Sequence, residues 1–471
     1  MPSGQALWAL SASELSCGYR DGIFSPVEVL IAVLDRAERV NPSLNAIVTL
    51  DREGAIAAAR ASEQRWQANA PLGPLDGVPL TVKDNIYVGR LRATWGSRLF
   101  ADHVAAEDEL AVARARGQGA VIVGKTNCPE FTLQGYTDNV LFGPTRNPWN
   151  TSLTPGGSSG GAVAAVASGL APLALATDGG GSIRRPTSHT GLVGLKPSIG
   201  RVARVGGFPA ILHDMEVIGP ISRTTADAAL LLSVIAGPDP QDRASLIFTR
   251  EFDEAKPLAP QRILYVPRFG DSPVDPEIAA NVLEAASNLA QLGHKIEEGP
   301  APFELALIDR IWSVVGPTGL AWFLRGYDGW RDRVGSPLAQ VAEQGAALAA
   351  ADYVDALDKV AKLRVSMAEF FSRFEFILTP TAAALPWPAD VTHPSSIAGS
   401  QVGPRGHAVF TALANVAGIP AVSVPCRPSS SGLPIGFQLI GGFGSDQRLL
   451  QLAAQYEQVH PWEQRWPSVG S

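Results

Sequence analysis

The chain has 471 residues, 46% of them hydrophobic and 18% charged, a composition that excludes a disordered polypeptide and allows a large buried core. Its 38 basic and 45 acidic residues leave a net charge of −7 with no basic runs, so there is no electrostatic footprint for nucleic acid or an anionic membrane. Three scattered cysteines, no basic-then-apolar leader and no apolar run of about 18 residues make a soluble, cytoplasmic protein the expectation.

In chain order, Ser25-Pro26-Val27-Glu28 predicts a helix start: Ser25 caps it, Pro26 opens the first turn and Glu28 completes a capping box. Val27, Leu30, Leu34, Ala37 and Val40 keep helical spacing, and Asn41-Pro42 is expected to stop it. An alanine-rich helix is expected from Asp51 to about Ala68, giving a helical N-terminal arm over residues 1–70. Val78 to Val82 reads as a short buried strand that delivers Lys83 at its end. Residues 107–117 read as a helix and 120–123 as a strand. Gly119-Ala-Val-Ile-Val-Gly124-Lys125-Thr126 matches the P-loop pattern letter by letter. It is rejected, because its middle residues are the strand itself and Pro129 stands where a helix must begin.

Two glycine-flanked serines follow: Ser158 in Pro155-Gly-Gly-Ser-Ser-Gly-Gly161 and Ser182 in Thr177-Asp-Gly-Gly-Gly-Ser-Ile-Arg-Arg-Pro186. The small apolar residues between them suit a buried helix leading into a strand, a path that brings both hydroxyls toward one site. Residues 224–236 predict a helix closed by Gly237-Pro238, and 239–260 has linker-like charge and proline. A strand–helix–strand unit is expected over 262–266, 276–292 and 294–296. Residues 303–372 are mostly helical and carry Trp312, Trp322, Phe323 and Trp330. Strands at 376–379, 421–424 and 435–440 precede a last helix at 446–457. This alternation makes the fold class α/β, with a sheet covered on both faces.

Three chemistries compete for these residues. In the first, Ser182 is a nucleophile, Ser158 relays its proton, and Lys83 is the base, which requires burial to keep the amine neutral. The backbone N–H groups of Gly179, Gly180 and Gly181 would then bind an oxyanion. In the second, Gly156-Gly-Ser-Ser-Gly160 is a nucleophile elbow with Ser158 as nucleophile, completed by Asp390 and either His393 or His407 as in an α/β-hydrolase-type esterase. Residues 149–155 do not read as the strand such an elbow requires. The third is a metal site, for which the seven histidines offer no ligand spacing.

The two serine motifs resemble those of the amidase signature family. So do Gly77-Val-Pro-Leu-Thr-Val-Lys83-Asp-Asn, Gly124-Lys-Thr-Asn, Pro129-Glu-Phe131 and Phe142-Gly-Pro-Thr-Arg-Asn-Pro-Trp149. The likeness continues through Gly191-Leu-Val-Gly-Leu-Lys-Pro197, Gly219-Pro-Ile-Ser-Arg-Thr224, Leu378-Thr-Pro-Thr381, Asn415 to Pro425 and Gly432 to Gly441. It spans about residues 25 to 458 and is weakest over 240–370.

The resemblance implies a single three-layer α/β/α domain over residues 1–471 around a mixed β-sheet, with a catalytic core at 71–240. Residues 300–372 would be a variable helical segment near the substrate pocket, with Trp312 and Trp322 as candidate walls. It also implies amide hydrolysis by Ser182 as nucleophile, Ser158 as a relay in a cis peptide, and Lys83 as base. Gly179 to Gly181 would be the oxyanion loop, and Ser159, Asp178 and Arg184 would hold the loops. The expected partner is a small-molecule amide; no cofactor, nucleic acid or membrane is expected, and a homodimer is left open. Gly179 departs from the family pattern, where Thr or Ile is common, and is expected to open space near the scissile group. The glutamine-hydrolysing subunit of a tRNA-dependent amidotransferase is the alternative within the family. Such subunits carry an acidic residue shortly before the Asn-x-Ala-Gly-x-Pro motif, whereas residues 406–414 hold no carboxylate here.

Overall fold

The computed structural model describes residues 6–250 and 258–469. Of the predicted linker-like stretch, residues 251–257 lie outside the described residues, as does the start of the N-terminal arm, residues 1–5. The frame is a mixed sheet of eleven strands. In chain order these are β1 (Ile47–Leu50), β2 (Pro79–Lys83), β3 (Val121–Thr126), β4 (Leu173–Asp178), β5 (Val193–Lys196) and β6 (Val217–Ser222). They continue with β7 (Arg262–Tyr265), β8 (Lys295–Glu298) and β9 (Phe376–Pro380). After a separate two-stranded hairpin, β10 (Ser396–Ile397) and β11 (Ser400–Gln401), come β12 (Ala421–Pro425) and β13 (Gly436–Gly441). The spatial order is β1-β3-β2-β4-β6-β5-β12-β13-β9-β7-β8.

Alternation along the strands builds the three layers. Leu80 and Val82 of β2, Leu173 and Leu175 of β4, and Leu195 of β5 share one core with the helices Leu110–Gly117, Thr225–Ile235, Pro276–Gln291 and Asp446–Val459. Ala174 and Ala176 point the other way, against Ala162, Val163 and Val166 of the helix Gly160–Ala167. Small side chains on both partners let this helix lie close to the sheet. Farther along that face, Val121 and Val123 meet the helices Pro26–Leu44 and Arg52–Gln67. At the far end, Ile377 and Ile440 meet Leu305–Leu324 and Ala350–Phe370. The expected mixed α/β sheet with both faces covered is therefore present.

Several local expectations change. The first long helix runs through Pro42 to Leu44 instead of stopping at Asn41. Asn41 ends it differently: its carbonyl accepts from Asn45 N–H, and its side-chain oxygen accepts from Ala46 and Ile47. Asn45 then takes a left-handed conformation, φ 53°, and turns the chain directly into β1, which pairs antiparallel with β3. The first seventy residues thus contribute an edge strand as well as helices. β5 and β6 have no counterpart among the expected strands. Pro220 lies in β6, a central strand between β4 and β5, where a missing N–H normally argues against a strand.

The register sets up the site. β2 and β4 are parallel, with Val82 opposite Leu175. Lys83 and Asp178 therefore stand at the carboxyl ends of neighbouring strands, the rim where open α/β sheets place ligands.

Candidate active site

Lys83 is fully buried, one residue past Val82 and on the opposite row of the strand. Its Nζ donates to Ser158 Oγ at 2.8 Å, to Thr177 Oγ1 at 3.1 Å and to the Thr177 carbonyl at 3.4 Å. Asn85 holds Thr177 Oγ1 from the other side at 3.0 Å. Burial pushes the Lys83 ammonium down from 10.5 to about 8, although Cys128, Glu216 and Asp178 pull it upward. Two other lysines are equally buried, but both are committed elsewhere. Lys125 pairs with Asp84 at 3.6 Å, and Lys196 donates to the carbonyls of Pro197 and Ile419 at 2.7 and 2.9 Å. Lys125 lies inside β3, which is why the P-loop match has no loop to cradle a phosphate. Only Lys83 among these three meets a serine hydroxyl.

Ser158 follows a cis peptide from Gly157 and is itself fully buried. Ser159 ties the two serine loops together: its N–H donates to the Ser182 carbonyl at 3.2 Å and its hydroxyl to the Thr177 carbonyl at 3.3 Å. Ser182 retains 6% exposure, whereas Lys83 and Ser158 retain none. Its Oγ makes no hydrogen bond among the described residues. A nucleophile must reach a ligand while its base stays dry, and this burial pattern has that arrangement.

The glycine loop before Ser182 is held by a buried ion pair. Asp178 accepts from Gly181 N–H at 2.7 Å, from Ile183 N–H at 3.0 Å and from Arg184 Nε and Nη2 at 3.0 and 2.9 Å. Burial would raise its carboxyl, but the Arg184 guanidinium outweighs that and holds it well below the usual range. The remaining N–H groups of Arg184 go to Thr411 O, Gln438 Oε1 and Asn415 Oδ1, so all five of its donors are used. Asn415 in turn donates to the Asp178 carbonyl at 2.9 Å. The Gly180–Gly181 peptide is pinned at both ends: Arg185 Nη1 and Thr411 Oγ1 donate to its carbonyl at 2.5 and 2.8 Å, and its N–H goes to Asp178. Gly181 has φ 110°, and a Cβ there would lie 2.2 Å from Thr411 Oγ1, so only glycine fits.

This geometry alters two expectations. Gly181 N–H, expected in the oxyanion hole, is already donated to Asp178. Gly179 and Gly180 N–H have no partner among the described residues. Nor does Gly179 simply open space, because a Cβ there would lie 2.7 Å from Leu212 Cδ1, and the Leu212 side chain fills the gap.

Of the two candidate pocket tryptophans, Trp312 lies against the loop, with its Cζ2 2.6 Å from where a Gly180 Cβ would stand. Trp322 is 46% exposed, and no contact places it beside the serines. The elbow alternative gains no support. Ser158 is sealed from solvent, His393 Nδ1 bonds to Thr392 at 2.8 Å, and both ring nitrogens of His407 are buried without a partner among the described residues. Sequence reasoning missed Thr177, Arg185, Thr411 and Gln438 as parts of the site. Arg185 lies inside the second serine motif, but Thr411 and Gln438 reach the loop across more than 200 residues of chain. Among the described residues no cluster of His, Cys, Asp and Glu could hold a metal.

The chain is similar to known proteins over nearly its whole length. The chain is 35% identical to an acylamidase of Rhodococcus erythropolis, covering 98% of both chains. It is 37% identical to a glutamyl-tRNA(Gln) amidotransferase subunit of Moorella thermoacetica, over 98% of this chain and 99% of the relative. The crystal structure of a bacterial aryl acylamidase of the amidase signature enzymes superposes with a TM-score of 0.90 at 31% identity, covering 97% of each chain. The Amidase family model matches residues 28–450. The chain belongs to the Amidase family, the amidase signature enzymes.

Proposed function

We propose that this protein hydrolyses the carbon–nitrogen bond of a small-molecule amide through an acyl-enzyme on Ser182. Ser182 Oγ attacks the carbonyl carbon as its proton passes to Ser158 Oγ, and the Ser158 proton passes to the neutral amine of Lys83. The N–H groups of Gly179 and Gly180 receive the developing oxyanion. Collapse expels the amine, which leaves with the proton returned from Lys83. Water then cleaves the acyl ester along the same relay.

The observation that carries this reading is the 2.8 Å contact between buried Lys83 Nζ and Ser158 Oγ, with no ion pair on that lysine among the described residues. Similarity to acylamidases supports an acyl amide as substrate. Similarity to the amidotransferase subunits supports the same chemistry on glutamine, but residues 406–414 lack a carboxylate to meet its amino group.

A serine-directed phosphonate tests the assignment by labelling and peptide mapping. The label is expected on Ser182 and absent from Ser182→Ala, which should stay folded and lose amide turnover. A label on Ser158 would replace the relay with the elbow mechanism.

A further inference from the structure

Beside the serine loops stands a group of basic side chains that the hydrolytic step leaves unused: Arg185, His189, His393, Arg405 and His407. Arg185, His189 and His407 are 5%, 2% and 2% exposed. None of the five forms an ion pair among the described residues. Arg185 donates to the carbonyls of Gly180 and Gly157 and to Thr411 Oγ1. Its Nε, His189 Nδ1 and both ring nitrogens of His407 are buried without a partner among the described residues. Arg185 Nη2 and His407 Nε2 both face Gly135, at 3.8 and 2.4 Å from where its Cβ would stand.

A second cation lies over the same loop. The Arg405 guanidinium stacks on the Trp312 ring, 5.1 Å from its centroid, and Trp312 rests on Gly180. Arg405 is exposed. The groups share one field: burial and then Arg405 depress Arg185, while burial, Arg185, His189 and Arg405 depress His407. The carboxylates that act on the two arginines are Asp178, already engaged by Arg184, and Asp309, beyond ion-pair distance of Arg405. Burying a cation with no counter-ion is costly, and so is leaving several buried nitrogens without acceptors. An anion binding here relieves both costs.

We propose that this basic cluster receives a carboxylate of the substrate beside Ser182, so that the favoured substrates are amides bearing a carboxylate a few bonds from the scissile carbonyl. Arg185 supplies the buried charge, and Arg405, held on Trp312, supplies a second charge at the mouth. A planar guanidinium suits a carboxylate's two oxygens. The same cluster accounts for the missing acidic residue before Asn415: this segment selects an anion where a glutamine site needs to select an ammonium.

The inference rests on the amidase reading, and the test separates the two. Ammonia release is followed with succinamate and with 4-methylpentanamide, its neutral isostere. In the wild type, kcat/KM is expected to favour succinamate by at least about tenfold, and Arg405→Ala and Arg185→Gln should each bring that ratio toward one. Because Arg185 also holds Gly180 and Gly157, its variants lose rate on both amides, and the ratio is the readout. Arg185→Lys, which keeps the charge, should retain part of the preference. A ratio near one in the wild type, or one unchanged in both Arg405→Ala and Arg185→Gln, would overturn the anion site and leave the amidase assignment standing. If neither amide is cleaved, the amidase assignment fails, and succinate titrated calorimetrically into the wild type and Arg405→Ala still reads the site. Saturable binding weakened at least about tenfold by the substitution supports it; no binding to the wild type refutes it.

Discussion

In the proposed reaction Lys83 accepts a proton only as the neutral amine, so its charge state would govern the rate. An ordinary lysine at 10.5 would leave almost no neutral amine at pH 7. At about 8, roughly a tenth of the molecules hold a neutral Lys83, on the order of 100-fold more. The base is the deprotonated form, so kcat/KM should climb about tenfold between pH 7 and pH 9 and then level off. Lys83→Arg keeps the charge but cannot release a proton in this range, so it should be as inactive as Lys83→Ala, each falling by about 1000-fold or more. Ser158→Ala should lose less, since a water can stand in for a relay hydroxyl. The assay is kcat/KM on one amide from pH 6 to pH 10 for the wild type and the three variants, with circular dichroism as the folding control. A flat profile across this range, or a Lys83→Arg enzyme within about tenfold of wild type, would refute Lys83 as the base.

Two further outcomes follow from the packing around the glycine loop. Asp178→Ala strands the fully buried Arg184 without its carboxylate, so denaturant unfolding should show a loss of about 3–5 kcal/mol; a change below about 1 kcal/mol would mean that Arg184 is neutralised by other groups. Trp312→Ala should reorder substrate preference, read as kcat/KM across aryl and alkyl amides, because Trp312 lies on Gly180. A uniform loss across all substrates together with a lower Tm would assign the ring to the core instead.

Local sequence determined a large part of this protein. The alternation of apolar residues in β2 and β4 separates the faces of the sheet, places Val82 in the core and sets Lys83 on the opposite row. Glycines around Ser158 and Ser182 mark where the backbone turns tightly and leaves N–H groups free. Capping residues such as Ser25 with Glu28 start a helix where expected, and both capping hydrogen bonds form. These signals are legible because each depends on residues a few positions apart.

What lay beyond the sequence depends on contacts between distant segments. The helix passes the expected Asn41-Pro42 stop and ends at Leu44, where the Asn41 side chain accepts from Ala46 and Ile47 and leads the chain into β1. Pro220 sits in a central strand because its neighbours supply the ladder around it. That Leu212 fills the space beside Gly179, and that Arg185 is buried without an ion pair among the described residues, emerge only when residues 179–185, 212 and 405–438 converge. Periodicity and motif spacing report which face a residue takes and how a turn bends; they do not report which donor meets which acceptor across more than 200 residues of chain. That pairing leaves Ser182 partly exposed, with Ser158 and Lys83 fully buried behind it.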